Sequence, residues 1–463
     1  MLIIISDLHF SDGTAGDHNV RAKAFTQVFM RNIISNIKSN PTGRVTLLLL
    51  GDIFELARST KWFENADGTR FDMEDRPWGA TGRADVTKYE SLPKATQSGR
   101  PSATETKLLE ILGRFPDSGQ RGDVAKGSIL EVNWNALEFF RTFPHLVAQG
   151  ADIDIPVEVV YLPGNHDRMA NLYPSVCREV KRILGLPGDD NWFDHEYYDE
   201  EFHVFARHGH EHDPFNYSRV GSMNRTSHMQ LCIGDILATE FAVRLPWEVK
   251  SQSGLKPRTR AKLVKQLEDL DNLRPLNSAM EWLYYKVREE NTKVAQKALD
   301  RAFDNVAREI LSVEFFRTWE SSDTRLDDLA RAATHPWLRW LTGEILTKLD
   351  TGLLLSFFNS RSDFGDSGLE NGAFQEARYG KPEAKYVVYG HTHEPTQKPL
   401  DVRSHREVMY LNAGTWRSRI VQTSKFDRTP DYISLKQMSY ILFSSDGGKP
   451  RMDMWMGTRK EEE

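Results

Sequence analysis

Leu2-Ile3-Ile4-Ile5-Ser6-Asp7-Leu8-His9 opens the chain with four aliphatic residues and then a polar turn carrying an acid and an imidazole. A short apolar run with a polar stop reads as a buried strand. The same pattern recurs along the sequence. Val45–Leu50 stops at Gly51-Asp52, and Val157–Leu162 stops at Pro163, ahead of Gly164-Asn165-His166-Asp167. Phe202–Ala206 leads to His208-Gly209-His210, and Tyr386–Tyr389 leads to Gly390-His391-Thr392-His393. Glu407–Leu411 and Tyr432–Phe443 read as strands that complete a sheet. Between the first two strands, Val20–Lys38 sets Phe25, Val28, Phe29, Ile33, Ile34 and Ile37 at helical spacing. Strand, helix, strand in this order predicts parallel βαβ units and an α/β fold class. In open sheets of that class ligands bind beyond the carboxyl ends of the strands, which is where every one of these polar motifs falls.

Two stretches interrupt the plan. Residues 57–126 are rich in Gly, Ser, Thr, Asp and Arg, with scattered aromatics such as Trp62, Phe63 and Trp78, and read as a long loop insertion with little regular structure, a candidate lid. Residues 217–385 are patterned as helices almost throughout, as in Ala279–Val287, Val294–Ile310 and the segment carrying Trp337, Leu338, Trp340 and Leu341. The expected organisation is a catalytic core in two parts, 1–216 and 386–445, separated by a helical insertion or cap at 217–385. Residues 446–463 are polar and end in three glutamates, so a flexible tail is expected there.

The bulk numbers bound the answer without giving it. At 463 residues, 39% hydrophobic and 27% charged, the chain has room for a large core. A net charge of -6 gives no general attraction to nucleic acid or to an anionic membrane, so any basic surface must be local. Cys177 and Cys232 are the only cysteines, which is no disulfide framework and suits a reducing compartment. Nothing resembles a signal peptide, and no apolar stretch is long enough to span a bilayer, so a cytoplasmic location is expected.

The motifs carry the chemistry. An Asp-x-His triplet arises roughly once by chance in a chain of this length, whereas Gly-Asn-His-Asp is roughly several hundred-fold rarer. An isolated histidine is more often a surface or core residue than a ligand, and it is the ordered set at strand ends that outweighs this. Asp and His bind borderline divalent ions such as manganese, iron or zinc, and a carboxylate oxygen can bridge two of them. Two ions about 3.5–4 Å apart can hold a hydroxide at neutral pH and clamp phosphoryl oxygens. With no cysteine near any motif, a structural tetrahedral zinc site is not expected.

This order of motifs is similar to that of the calcineurin-like metallophosphoesterase superfamily, over about residues 1–208 and again from Gly390, but over neither insertion. The resemblance implies a β-sandwich core flanked by helices, with the large helical stretch inserted. It implies two divalent metal ions, Mn2+ first with Fe or Zn as alternatives. Asp7, His9, Asp52 and His393 would bind one ion, and Asn165, His208, His391 and the bridging Asp52 the other. The implied reaction is in-line attack of a metal-bridging hydroxide on phosphorus. His166 would stabilise the leaving oxygen. Glu55 stands where many members carry an acid that orients this histidine, against a plain structural glutamate. At the fourth motif the family's His-Gly favours His208, with His210 and His212 also within reach. His18, His195, His203 and His228 lack motif context and read as structural.

Gly51–Leu56, Gly390–Pro395 and Asn412–Trp416 resemble the UDP-2,3-diacylglucosamine hydrolase branch, which cleaves a pyrophosphate. That branch usually has Arg where this chain has His166, and its chains are much shorter, which puts the substrate in doubt. The leading expectation is therefore a phosphodiesterase or pyrophosphohydrolase. A nuclease on DNA or RNA is the second reading. Its partner surface would be Lys250–Lys265, where Lys250, Lys256, Arg258, Arg260, Lys262 and Lys265 occur with no acid among them. The bland reading of that run is a solvated loop and helix start. From another class comes a non-catalytic scaffold on the same fold, but such members lose ligands, and none is missing here. The insertion's aromatics, Trp282, Tyr284, Tyr285, Phe315, Phe316, Trp337 and Trp340, read as helix packing rather than a base-stacking platform.

Overall fold

The computed structural model describes residues 1–40, 42–77, 102–213, 216–217, 223–228, 230, 232–274, 282, 293–312, 366–402, 406–422 and 432–458. Its strands are β1 (Leu2–Ile5), β2 (Val45–Leu50), β3 (Val157–Leu162), β4 (Tyr197–Asp199), β5 (Val204–Ala206) and β6 (Leu273–Arg274). They continue as β7 (Tyr386–Tyr389), β8 (Thr396–Val402), β9 (Arg406–Asn412), β10 (Ser418–Gln422), β11 (Tyr432–Asp446) and β12 (Lys449–Thr458). One sheet has the order β3-β2-β1-β11-β10-β6, with β12 also paired to β11, and the other has the order β4-β5-β7-β9-β8. β1, β2 and β3 are parallel, as are β5, β7 and β9, but β11 joins β1 antiparallel, and β4 and β8 flank the second sheet antiparallel. The fold is mixed α/β with two mixed sheets.

Period-two alternation explains why the first strands are aliphatic at every position but Thr46. Leu2, Ile4, Leu48 and Leu50 point to one side and share a buried cluster with Val204, Ala206, Val388 and Leu411 of the second sheet. Ile3, Ile5, Leu47 and Leu49 point to the other side and pack with Phe25, Phe29 and Phe140 from the helical layer. The outer face of the second sheet is covered by the helix Asp366–Gln375, whose Leu369 and Ala373 meet Phe205, Val387 and Tyr389. With both faces of the central strands covered, polar residues are excluded until each strand ends. The predicted helix over Val20–Lys38 begins later, as a π-helical stretch Ala24–Phe29 running into Met30–Ser39, and it buries Phe25, Phe29, Ile33 and Ile37 while Val28 stays exposed.

The expectations for the peripheral segments need correction. Within the tail expected at 446–463, Lys449–Thr458 is instead β12, paired with β11 from Gln437–Thr458 to Asp446–Lys449, and residues 459–463 lie outside the described residues. Gly447 and Gly448, both at positive φ, form the turn, and Trp455 stacks on Tyr440 with ring centroids 5.2 Å apart. The terminal charges hid a double-glycine hairpin signal and the apolar residues Met452, Met454 and Trp455. The stretch 57–126 is also not a structureless lid where it is described. Ser102 caps the helix Ala103–Leu112 by accepting from the Glu105 amide, and Leu108, Ile111, Leu112, Trp62 and Phe63 are buried in the main core. Trp78 lies outside the described residues.

The stretch 217–385 is helical in most of its described parts, including Arg244–Ser251, Pro257–Glu268 and Lys293–Ser312. It also contributes β6, parallel to β10, which the helical pattern did not foretell. Trp282 is buried in the main core, while Tyr284, Tyr285, Phe315, Phe316, Trp337, Leu338, Trp340 and Leu341 lie outside the described residues. No helix among the described residues is long and apolar enough to cross a membrane.

Removing residues 447–463 should lower the thermal midpoint by several degrees, because it strips a paired strand and the Trp455–Tyr440 contact. An unchanged melting curve in circular dichroism would mean that the segment behaves as a tail after all.

Candidate metal centre

Each strand end delivers its polar residues through a bent backbone. Asp7, His9, Asp52, His391 and His393 all adopt positive φ, between 52° and 71°, and among the described residues only Asp152 and His203 otherwise do so without being glycine. Such conformations cost of order 1–3 kcal/mol each and persist only where the surroundings enforce them. Here the loops enforce one another. The amides of Asp7 and His9 donate to the carbonyls of Gly51 and Asp52, the His391 amide donates to Asp7 Oδ2, and Thr415 Oγ1 donates to the Asp7 carbonyl at 2.6 Å. A side chain at Gly164 would collide with the Asp52 carboxylate, and one at Gly390 with Ser6 and Asp7, so both motif glycines are needed for close approach.

The expected ligands converge. Nε2 of His9 and Nε2 of His393 lie 2.9 Å apart, and Asp7 Oδ1 lies 3.6 Å from the first and 3.3 Å from the second. Asp52 Oδ2 lies 3.9 Å from His9 Nε2 and 3.1 Å from His208 Nε2, so one carboxylate oxygen faces both halves of the site. Asn165 Oδ1 and His391 Nδ1 are 3.0 Å apart, and Asp52, His208 and His391 form a second group able to hold an ion. All seven residues are buried or nearly so.

Hydrogen bonds on the far side of each ring assign the tautomers. Nδ1 of His9 meets Glu55 Oε1 at 2.8 Å, Nδ1 of His208 meets the Leu50 carbonyl at 2.8 Å, and Nε2 of His391 meets Asp213 Oδ2 at 2.9 Å. Each of those nitrogens keeps its N–H, so the proton a cation would displace, and the lone pair it would take, belong to the other nitrogen, which faces inward. His208 Nε2 and Asp7 Oδ1 are buried with only the opposing site residues beside them and no well-aligned hydrogen bond, as suits atoms that donate to a cation. His208 is thus the residue of its motif at the centre. His210 is buried with neither ring nitrogen hydrogen-bonded, and His212 turns away to Glu376 and Tyr389.

The charges are mutually adapted. Burial alone would raise the carboxyls of Asp7 and Asp52, but His208, with His393 and His9 at Asp7 and His166 at Asp52, holds both well below the usual carboxylate range. Against burial, Glu55, Asp7 and Asp52 push His9 up to about 9, and Asp52 and Asp7 push His208 up to about 10. The pocket therefore offers fixed negative charge that either protons or metal ions can neutralise.

Glu55 also binds Nδ1 of His166, at 2.9 Å through Oε2, and accepts from Arg417 at 3.1 Å and Arg58 at 3.5 Å. Despite its burial, His166, Arg58 and His9 keep its carboxyl well below the ordinary range. Its expected contact with His166 is present, and it orients His9 as well. His166 is the most open of the set, with its side chain 13% exposed.

Three residues were missed by sequence reasoning. Asp167 stood inside a quoted motif without a role. Its carboxylate accepts from the amides of Gly164 (2.6 Å), Ile53 (2.7 Å), Phe54 (3.2 Å) and Asp52 (3.3 Å), stapling the loop after β3 to the loop after β2. Arg417 directly follows Asn412–Trp416 and Asp213 lies three residues beyond His208-Gly209-His210, and only their spatial position reveals them. A further buried group, His195, Glu211 and His228, has ligand-type spacing, and its two imidazoles stack at 3.6 Å. The Asn171 amide, fixed by Phe193, donates to His195 Nε2, so Nδ1 keeps the proton and its lone pair is unavailable to an ion. Burial, with Arg207 and Arg168 nearby, also holds His228 neutral, down to about 4, and the stacked pair lies apart from the strand-end motifs.

Asp167→Ala strands four buried amides at about 1–3 kcal/mol for each one left unsatisfied. Urea unfolding should reveal a loss of about 3 kcal/mol or more, with a smaller loss for Asp167→Asn. Wild-type stability in Asp167→Ala would show that other contacts hold the two loops. Neither a protein-family model nor a curated protein matches this chain, so the reading of the site rests on its own geometry.

Proposed function

We propose that this chain is a dinuclear metal-dependent phosphoester hydrolase of the metallophosphoesterase kind, acting on a phosphodiester or pyrophosphate. The observation that carries the reading is Asp52 Oδ2, a single carboxylate oxygen facing the Asp7–His9–His393 group on one side and the Asn165–His208–His391 group on the other. The donor set, carboxylate, imidazole and one amide oxygen without thiolate, suits Mn2+ first and Fe or Zn next. Two divalent ions held there would supply a nucleophile at neutral pH and positive charge for the phosphoryl oxygens. The sandwich of two mixed sheets, with helices outside and all motifs at strand ends, accords with the same reading.

The chain's own residues account for the rest. Asp52 fixes the separation of the two halves, and its Oδ1 accepts the His166 amide at 2.8 Å, which ties the histidine to the bridging position. With Nδ1 held by Glu55, His166 has Nε2 available for the leaving oxygen of an in-line displacement. Glu55 stays ionised between two arginines and two imidazoles, so it keeps His166 in one orientation through the reaction.

Protein stripped with a chelator and reloaded with manganese should cleave bis(p-nitrophenyl) phosphate in preference to p-nitrophenyl phosphate. Asp52→Asn should fall to background while remaining folded, and His166→Ala should lose about 10²–10⁴-fold in kcat, the usual range for a positioned acid. Metal-independent turnover, or an Asp52→Asn variant with most of its activity, would sink the reading.

The nuclease alternative is favoured by one observation, that Lys250, Lys256, Arg258, Lys262 and Lys265 are exposed on the helices of the insertion. Neutralising these residues together with Arg260 should weaken cleavage of a nucleic-acid strand several-fold or more and flatten its salt dependence. Turnover of the small diester should stay unchanged. Equal losses on both substrates would remove the basic run from the argument.

A further inference from the structure

Asp213 and Asn216 stand just before the insertion, and neither belongs to a strand-end motif. Together with Asn165 and His391 they form a ring of four side chains, joined by three hydrogen bonds and closed where two acceptor atoms lie side by side. Asp213 Oδ2 accepts from His391 Nε2 at 2.9 Å and from Asn216 Nδ2 at 2.6 Å. Asn216 Oδ1 accepts from Asn165 Nδ2 at 3.3 Å, and Asn165 Oδ1 faces His391 Nδ1 at 3.0 Å. All four residues are buried. The ring is fastened to the core by Arg168, which donates to the Asn216 carbonyl at 3.2 Å and is itself paired with Asp235.

The proton bookkeeping has one direction. A carboxylate only accepts, so both partners of Asp213 donate to it, and His391 carries its proton on Nε2. Asn216 spends its amide hydrogens toward Asp213, so its oxygen faces Asn165 and draws the Asn165 NH2 group to itself. That leaves the Asn165 oxygen and the His391 Nδ1 lone pair aimed at the same place. An asparagine side chain has no intrinsic preference between its two flipped states, and an imidazole little between its two tautomers. The ring removes both freedoms at once.

The other half of the site is arranged differently. Its histidine His9 takes its orientation from Glu55, which reaches neither Asn165 nor His391 by any hydrogen bond among the described residues. The two halves thus lean on separate carboxylates, one from the loop after β2 and one from the root of the insertion.

We infer that Asp213, with Asn216, is a positioning residue for the Asn165–His208–His391 half-site alone, so that this half can be emptied of its ion while the Asp7–His9–His393 half stays loaded. The inference rests on the dinuclear reading above. It ties the segment leading into the insertion to metal occupancy on one side of the bridge only, so a displacement of the insertion's root would act on one ion and spare the other.

The test is manganese binding to the full-length protein, followed by equilibrium dialysis with elemental analysis and by electron paramagnetic resonance. Wild type should bind two equivalents and give the signal of a coupled pair. Asp213→Asn should bind one equivalent with wild-type affinity and the second about 10–100-fold more weakly, the usual cost of losing an outer partner of a metal ligand. The uncoupled single-ion signal should appear at intermediate manganese. Asn216→Ala should weaken the same ion by a smaller factor, and Glu55→Gln should weaken the other. Circular dichroism melts of the metal-free variants report folding separately, and Asn216→Ala carries the test if Asp213→Asn does not fold. Two equivalents at wild-type affinities in both ring variants, or equal weakening of both ions, would overturn the inference. A wild-type protein that binds no manganese would overturn the dinuclear reading itself and this inference with it.

Discussion

The geometry of the site depends on one buried carboxylate that is not expected to touch a metal. Asp167 receives the backbone amides of two loops that leave adjacent parallel strands, β2 and β3. Parallel strands deliver their carboxyl ends to the same edge, but they do not by themselves fix how the departing loops lie against each other. Four amides converging on one acid do. Gly164 then lies so close to Asp52 and His208 that no side chain fits there. The same logic repeats at the neighbouring loops through Thr415, which holds Asp7, and Asn412, which holds Gly390.

Around this frame the electrostatics are self-consistent before any cation is considered. Buried acids and imidazoles lie interleaved, each shifting the other toward its charged form, and the outward-facing ring nitrogens are taken by Glu55, Leu50 and Asp213. Desolvation on this scale is unfavourable for isolated charges, so the arrangement is stable only as a set. Glu55 is where the set meets the proposed chemistry, because it serves the buried His9 and the more open His166 with one carboxylate.

How much of this could be read from the sequence follows from how local each signal is. β2, β3 and β7 were legible to the residue, because each is a run of mainly apolar side chains and the chain turns polar where the strand ends. The seven expected ligand residues were legible for the same reason, as each follows such an end. The antiparallel entry of β11 beside β1 was not, since nothing in an apolar run states its partner's direction. β12 was misread because charge at the extreme end outweighed Gly447-Gly448 and an apolar stripe. Asp167, Asp213 and Arg417 share a different difficulty. Each acts by hydrogen bonding to groups far away in sequence, and a residue type alone does not carry that information.

The left-handed backbone at Asp7, His9, Asp52, His391 and His393 constrains what this chain can become. Among side chains, asparagine, aspartate and histidine tolerate that conformation best after glycine, whereas β-branched residues are penalised heavily. The loops thus admit a narrow alphabet on steric grounds alone, quite apart from any chemistry. A lineage without the proposed hydrolysis could take asparagine or glycine at these positions at the least steric cost, keeping its shape while shedding its charge. The fold and the donor set are for this reason separable in descent, and erosion at the strand ends would be written in amides rather than in aliphatic residues.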